Sequence, residues 1–111
     1  MAQTRRERVR EATIQEIKQT ALEQIAREGA ASLSLRGIAT AMGMTAPALY
    51  RYFDSRDDLV TALIVDAYTS FNDALEAASA SAPADNPTYR LLALGRAYRA
   101  WANTHPQQYA L

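Results

Sequence analysis

Alanine dominates this chain and limits the folds that it can adopt. The 111 residues include 23 alanines but only eight valines and isoleucines together. Alanine is the most favourable residue in a helix, whereas β-branched side chains are the usual material of strands. Alanine also carries little apolar area, so its helices must approach closely to bury enough surface. The composition therefore predicts an all-α fold.

Apolar side chains recur at the three- and four-residue spacing of amphipathic helices. The predicted helices cover about residues 8–28, 35–42, 46–52, 56–79 and 88–104. The first carries its stripe on Ile14, Ile17, Ala21 and Ile25, with Gln24 on the solvent side, and the fifth on Leu91, Leu94, Tyr98 and Trp101. Gly29 is expected to cap the first helix and Pro106 to end the fifth. Small residues and two prolines make residues 79–87 a connector.

Several classes of function lack the residues that they need. There is no cysteine and one histidine, so we expect no metal site, and no nucleophile–base pair suggests an enzyme. Four glycines form no phosphate-binding motif, and we expect no cofactor. No apolar run approaches the roughly 18 residues of a membrane helix, and no secretory signal begins the chain. The sequence therefore predicts a cytoplasmic, non-enzymatic protein without a membrane partner.

The segment at about 34–53 combines two short helices with a glycine-containing turn. Ser34 and Thr45 are candidate N-caps of the two helices, and Pro47 lies in the first turn of the second. Ala39 is small enough for a close helix crossing, and Gly43 allows the chain to turn sharply. A longer helix precedes this pair, which is the plan of a helix-turn-helix.

The second short helix is the candidate reader of DNA, because a major groove admits one helix. Its first turn consists of small residues, which would let it approach the bases: Thr45, Ala46, Pro47 and Ala48. Tyr50, Arg51, Arg36 and Arg56 supply polar or charged groups nearby. The whole chain has a net charge of zero, but residues 34–56 carry three arginines against one aspartate. DNA binding depends on this local charge.

These residues resemble the TetR family of bacterial transcriptional repressors. The resemblance covers about residues 9–66. It rests on Leu35-Arg36-Gly37-Ile38-Ala39, Met42-Gly43-Met44, Ala48-Leu49-Tyr50-Arg51-Tyr52-Phe53 and Ser55-Arg56-Asp57-Asp58-Leu59. It implies a three-helix helix-turn-helix DNA-binding domain at residues 1–58. A long connecting helix and the first helices of an incomplete α-helical ligand-binding and dimerisation domain would follow at 59–111.

The resemblance also implies a function and a set of contacts. We expect a ligand-responsive repressor that binds a palindromic operator in double-stranded DNA as a homodimer, in the bacterial cytoplasm and at the nucleoid when bound. A small-molecule effector is implied. The candidate DNA-binding residues are Ser34, Arg36, Thr45, Ala46, Pro47, Ala48, Tyr50, Arg51 and Arg56. Tyr50 resembles a tyrosine that contacts phosphate, and Arg56 stands where the family often has a lysine.

Some residues allow two interpretations. Tyr98 and Trp101 either pack in the core or line an aromatic ligand pocket. Tyr52 and Phe53 are expected in the core. The arginines near the N-terminus form either a solvated, frayed end, which we favour, or a basic arm that reaches DNA. The alternative for the whole chain is a helical protein–protein interaction module that does not bind DNA.

Overall fold

The computed structural model describes residues 2–82 and 85–111. Within them the protein is all-α, as the composition predicts, and no strand forms. The helices are α1 (Arg5–Glu28), α2 (Leu35–Ala41), α3 (Ala46–Tyr50), α4 (Arg56–Ser81), α5 (Pro87–Thr104) and α6 (Pro106–Tyr109). A short 3-10 helix, Ala30–Ser32, lies between α1 and α2. The chain forms two compact units, residues 1–61 and 62–111. The predicted domain boundary at residue 58 remains a prediction.

The core of the first unit follows the predicted periodicity. Ile17, Ala21 and Ile25 are buried on one face of α1, and Ile38 and Ala39 are buried on α2. Leu49 of α3 and Leu59 of α4 are also fully buried. Burial of one such aliphatic side chain contributes about 1.5–3 kcal/mol relative to its exposure. The apolar stripes thus hold the short helices, which are too brief to be stable alone.

The first helix begins three residues earlier than predicted. Thr4 is its N-cap: the hydroxyl accepts a hydrogen bond from the amide of Glu7, and the Glu7 carboxylate accepts one from the amide of Thr4. This capping box satisfies two amides that a helix end leaves unpaired. This end of the chain is solvated, as expected, but the expectation that it is frayed was wrong. Gly29 caps the other end of the helix, as predicted.

The turn between α2 and α3 depends on Gly43, whose φ of 69° lies in the left-handed region. The amide of Met44 donates to the carbonyl of Ala39 at 2.8 Å, and the amide of Gly43 to that of Thr40 at 3.2 Å. This pair of bonds is the Schellman arrangement, which ends a helix and reverses the chain. The predicted glycine turn is confirmed, and it orients α3.

The second unit differs in two ways from the predicted stripe on α5. Trp101 is buried, but Leu91 is 71% exposed and lies outside the apolar contact. Pro106 does end α5, yet it also begins α6, because its missing N–H is tolerated in a first helical turn. In addition, α4 continues to Ser81, beyond the predicted end at residue 79. Within the predicted connector, Pro83 and Ala84 lie outside the described residues.

Candidate nucleic-acid interface

Helix α3 is buried on one face and exposed to solvent on the other. Leu49 is fully buried beneath it, and the Thr45 hydroxyl accepts a hydrogen bond from the Ala48 amide at 3.2 Å. Thr45, Pro47, Tyr50 and Arg51 are exposed, whereas Ala46 and Ala48 are half-buried. The predicted base-proximal first turn is thus partly accessible, and Tyr50 extends from the same helix with 47% of its surface exposed.

The two candidate residues at the start of α2 differ in what they do in the fold. Arg36 is exposed and accessible to a partner. The Ser34 hydroxyl caps α2 by accepting a hydrogen bond from the Gly37 amide at 3.0 Å. Its oxygen retains a further lone pair and the hydroxyl proton for other contacts. Direct DNA contact by Ser34 and Arg36 stays a prediction.

A buried glutamine fixes the start of α2, and the sequence reading missed it. Gln24 was expected to face solvent, but it is 7% exposed, and its Oε1 accepts a hydrogen bond from the Ser34 amide at 2.9 Å. A Cβ atom on Gly37 would lie 2.7 Å from Nε2 of Gln24 and 2.9 Å from Oγ of Ser34. A larger residue at position 37 would therefore displace the side chain of Gln24 or of Ser34. Gln24 stands seven positions after Ile17 and three after Ala21, and this spacing of one helix face was the available signal.

Arg56 has an internal role that the sequence did not indicate. Its Nε donates to the carbonyl of Leu33 at 2.9 Å, and its Nη2 donates to that of Ala30 at 2.8 Å. The guanidinium thus ties the first turn of α4 to the segment between α1 and α2. This forked contact suits arginine and not lysine. Phosphate binding by Arg56 stays a prediction, and it would have to use the donors that remain.

The end of α3 lies beside the start of α1. The guanidinium carbon of Arg10 lies 5.0 Å from the centre of the Tyr52 ring, within the range of a cation–π contact. Tyr52 is only half-buried, contrary to the prediction of a core position, whereas Phe53 is buried. Arg5, Arg6 and Arg10 of α1 line an open groove together with Tyr52.

The second unit contains an aromatic cleft of about 390 Å³. Its lining residues are Ile64, Ala67, Tyr68, Phe71, Tyr98, Trp101, Gln108, Tyr109 and Leu111. Phe71 makes edge-to-face contacts with Tyr98 and Trp101, at centroid distances of 5.4 and 5.2 Å. The Trp101 indole N–H donates to the Ser70 hydroxyl at 2.9 Å. Trp101 is buried and lines the cleft, whereas Tyr98 lines it with 45% of its surface exposed. Ligand binding by either residue stays a prediction.

Two tyrosine hydroxyls meet at this cleft. The Tyr98 hydroxyl donates to that of Tyr109 at 3.2 Å. This hydrogen bond, reinforced by charge repulsion from Tyr109 and by desolvation, raises the pKa of Tyr98 above its ordinary value of 10.0. The Tyr98 hydroxyl is therefore neutral near pH 7, when it can donate or accept hydrogen bonds.

The described part of the chain contains no group of three or more histidine, cysteine, aspartate or glutamate side chains placed to hold a metal ion. None of the helices in residues 2–82 and 85–111 combines the length and apolarity of a membrane span.

The capped α2, the left-handed glycine turn and the anchored, exposed α3 define a helix-turn-helix protein. A sequence profile described as "Bacterial regulatory proteins, tetR family" matches residues 17–63, which include this unit. This helix-turn-helix segment of the chain matches the TetR family of bacterial regulatory proteins, as its motifs indicated.

Several known proteins are similar to the chain. The HTH-type transcriptional regulator Rv1816 of Mycobacterium tuberculosis (strain ATCC 25618 / H37Rv) is 46% identical over 88 residues, which cover 79% of this chain and 38% of that protein. Rv0681, an HTH-type transcriptional regulator of the same strain, is 32% identical over 94 residues, 85% of this chain and 42% of that protein. The crystal structure of the regulatory protein SCO4313 superposes with a TM-score of 0.83 at 54% identity, over 96% of this chain and 49% of that one. The chain thus spans half or less of the length of these proteins.

Proposed function

We propose that this protein is a sequence-specific DNA-binding transcriptional regulator, and that it acts as a ligand-responsive repressor. The proposal rests on the way α3 is anchored on one face and exposed on the other. Its underside is fixed by Leu49, while Thr45, Pro47 and Tyr50 face outward from one short helix. A rigid helix with small residues in its first turn suits insertion into a major groove. Proteins similar to the chain are described as HTH-type transcriptional regulators.

The roles of the site residues follow from their chemistry. Thr45 would bind a base edge or a phosphate, and Ala46 and Ala48 would contact thymine methyl groups. Arg36 would reach a guanine edge or a phosphate, while Tyr50 and Arg51 would bind phosphates. Contacts to phosphate position a protein on DNA, and contacts to bases select the sequence. The protein would act by this binding and not by catalysis, in the bacterial cytoplasm and at the nucleoid when bound.

The decisive experiment is a binding titration on the DNA that flanks the protein's own gene. We expect a salt-sensitive complex that is stronger than the complex with unrelated DNA of equal length. Tyr50→Phe should weaken binding about fivefold on both DNAs, because one hydrogen bond to phosphate is worth about 1 kcal/mol. Tyr89→Phe is the matched control, since Tyr89 is an exposed tyrosine of α5 that does not line the cleft. Equal affinity for both DNAs would refute the proposal that the protein is a sequence-specific regulator.

We further propose that the protein binds a palindromic operator as a homodimer. Two copies would place two α3 helices in successive turns of the major groove, about 34 Å apart. Large apolar side chains that the second unit leaves exposed are available for such an association: Val65, Tyr68, Leu91 and Leu92. Light scattering on the protein, alone and with an operator of one or two half-sites, would test it. Binding of a single protein copy to the DNA with two half-sites would refute the proposed homodimer.

The aromatic cleft is the proposed effector site. The side chains that line it include no charged group, so an apolar or aromatic small molecule without net charge fits it best. Trp101 would supply a flat surface, and the Tyr98 and Tyr109 hydroxyls would bind a polar group at one edge. Binding would favour one arrangement of the two protomers and so release DNA.

Quenching of the single tryptophan gives a direct test of this site. A neutral aromatic probe, 1-naphthol, should quench Trp101 fluorescence saturably, and Tyr98→Ala should weaken the binding. Tyr89→Ala is the control, because Tyr89 is an exposed tyrosine of α5 that does not line the cleft. Quenching that rises linearly without saturation would refute a ligand site here.

A further inference from the structure

Arginine is concentrated at the start of α1. Four of the six residues from position 5 to position 10 are arginines. Arg5, Arg6 and Arg10 line an open groove together with Val9 and Tyr52. We refer to these five residues as the arginine groove. Its lining combines the apolar Val9 and the aromatic Tyr52 with three cationic side chains.

Glu7 and Glu11 offset only half of the charge of the four arginines in residues 5–11. The Glu7 carboxylate accepts from the amide of Thr4 in the capping box, and the Glu11 carboxylate accepts from Nε2 of Gln3 at 2.7 Å. Among residues 2–82 and 85–111, no carboxylate is paired with Arg5 or Arg6. Cations at the start of a helix are also disfavoured by the helix dipole. These two arginines therefore cost stability in the free protein, a cost that an anionic partner would remove.

The arginine groove is close to the exposed end of α3. Arg10 stacks on the ring of Tyr52, which fixes the first turns of α1 against the segment that follows α3. Tyr52 comes two residues after Tyr50, so their Cα atoms are at most about 7 Å apart. DNA carries one phosphate charge per about 1.7 Å of its axis. A duplex that contacts Tyr50 thus has further phosphates within reach of this groove.

We infer that the arginine groove is a second DNA contact, in which Arg5 and Arg6 bind backbone phosphates beside the major groove entered by α3. This inference rests on the proposed function. Arg10 is a positioning residue, because its cation–π contact with Tyr52 holds the groove next to α3. The contact adds affinity and salt dependence without reading the sequence, since phosphates are the same at every base pair.

The test is the salt dependence of DNA binding by the double variant Arg5→Gln/Arg6→Gln. Each lost phosphate contact should reduce the slope of log affinity against log salt by about 0.9. The slope should therefore fall by about 1.8 per protomer, with no change in the ratio of affinities for operator and unrelated DNA. Glutamine is a good helix former, and the capping box remains, so circular dichroism should show an intact α1.

The control is Arg96→Gln/Arg99→Gln, which makes the same change in net charge on two exposed arginines of α5. An unchanged slope in the Arg5/Arg6 variant, or an equal fall in the control, would overturn the inference. A lower affinity ratio would also overturn it, because it would indicate contact with bases. If the wild-type protein prefers its operator but the variant has an unchanged salt slope, only the proposed DNA contact of the arginine groove is refuted. If the wild-type protein shows no preference for its operator but the salt slope of the Arg5/Arg6 variant falls, the proposed regulatory function is refuted and the DNA contact of the arginine groove is supported.

Discussion

Gly37 shows how one missing side chain can determine a local structure. Its Cα faces the amide of Gln24 and the hydroxyl of Ser34, both of which already hold hydrogen bonds that define the start of α2. Nothing in the sequence around Gly37 indicates this, because Gln24 lies 13 positions earlier in the chain. The close approach exists only once α1 and α2 pack together.

We expect Gly37→Ala to destabilise the protein by about 1 kcal/mol. The added Cβ displaces Gln24 or Ser34 and weakens a hydrogen bond, which outweighs the better helix propensity of alanine. In a Gln24→Ala background the same substitution should cost less, because one of its two contacts is gone. Urea denaturation of the four proteins measures both effects. Equal losses in the two backgrounds would contradict this account.

Tyr98 offers a residue-scale test that depends on pH. Its raised pKa means that the folded state disfavours the phenolate, mainly because the neutral hydroxyl bonds to Tyr109. The resulting stabilisation is complete below the ordinary pKa of 10.0 and is lost as the pH rises through the raised value. Tyr109→Phe should return the pKa of Tyr98 towards 10.0, as followed by NMR of the labelled tyrosine ring. Tyr89→Phe is the control, and a Tyr98 pKa that both variants leave unchanged would exclude the hydroxyl pair as the cause.

At the scale of elements, the turn before α3 is where the sequence was most informative. The positive φ of Gly43 costs an alanine about 1–2 kcal/mol, and no atom lies within 4 Å of the added Cβ, so the cost is one of backbone conformation. We predict that Gly43→Ala lowers the free energy of unfolding by this amount and that Gly43→Asn lowers it less, because asparagine tolerates the left-handed region. Gly95→Ala, at a helical glycine with open space, should be neutral or stabilising. Equal losses for alanine and asparagine would show that φ is not the cause.

The connection of α4 to the segment between α1 and α2 is a second property of elements. Arg56→Lys keeps the charge but cannot donate to the carbonyls of Leu33 and Ala30 with the same fork. We expect a loss of about 1 kcal/mol in stability, measured by chemical denaturation. Arg51→Lys, at an exposed arginine without such bonds, should be neutral. Full stability in the Arg56 variant would mean that its charge, and not its hydrogen bonding, matters.

At the scale of the whole molecule, a net charge of zero does not describe the surface. Arg36 and Arg51 are exposed around α3, and Asp54 is the single acidic residue within positions 34–56. If Arg36 and Arg51 of both protomers each neutralise one phosphate, log affinity should fall with log salt with a slope of magnitude about 3.6 or more. Fluorescence anisotropy with labelled operator DNA at several salt concentrations measures it. A slope near zero would show that these arginines do not contact phosphate.

The sequence alone determined the helical class, the apolar stripe of α1 and the glycine turn, because each follows from local propensity or from the period of one helix. It also carried the motif that matches the TetR family. Only the tertiary structure decided the roles of Gln24 and Arg56, the position of Tyr52 and the exposure of Leu91. Such roles depend on what a neighbouring element places nearby. Arg56 meets two backbone carbonyls and Tyr52 meets an arginine of α1, whereas Leu91 has no close packing. Periodicity identifies the face that a helix buries, but the packing of elements decides which polar groups meet on that face.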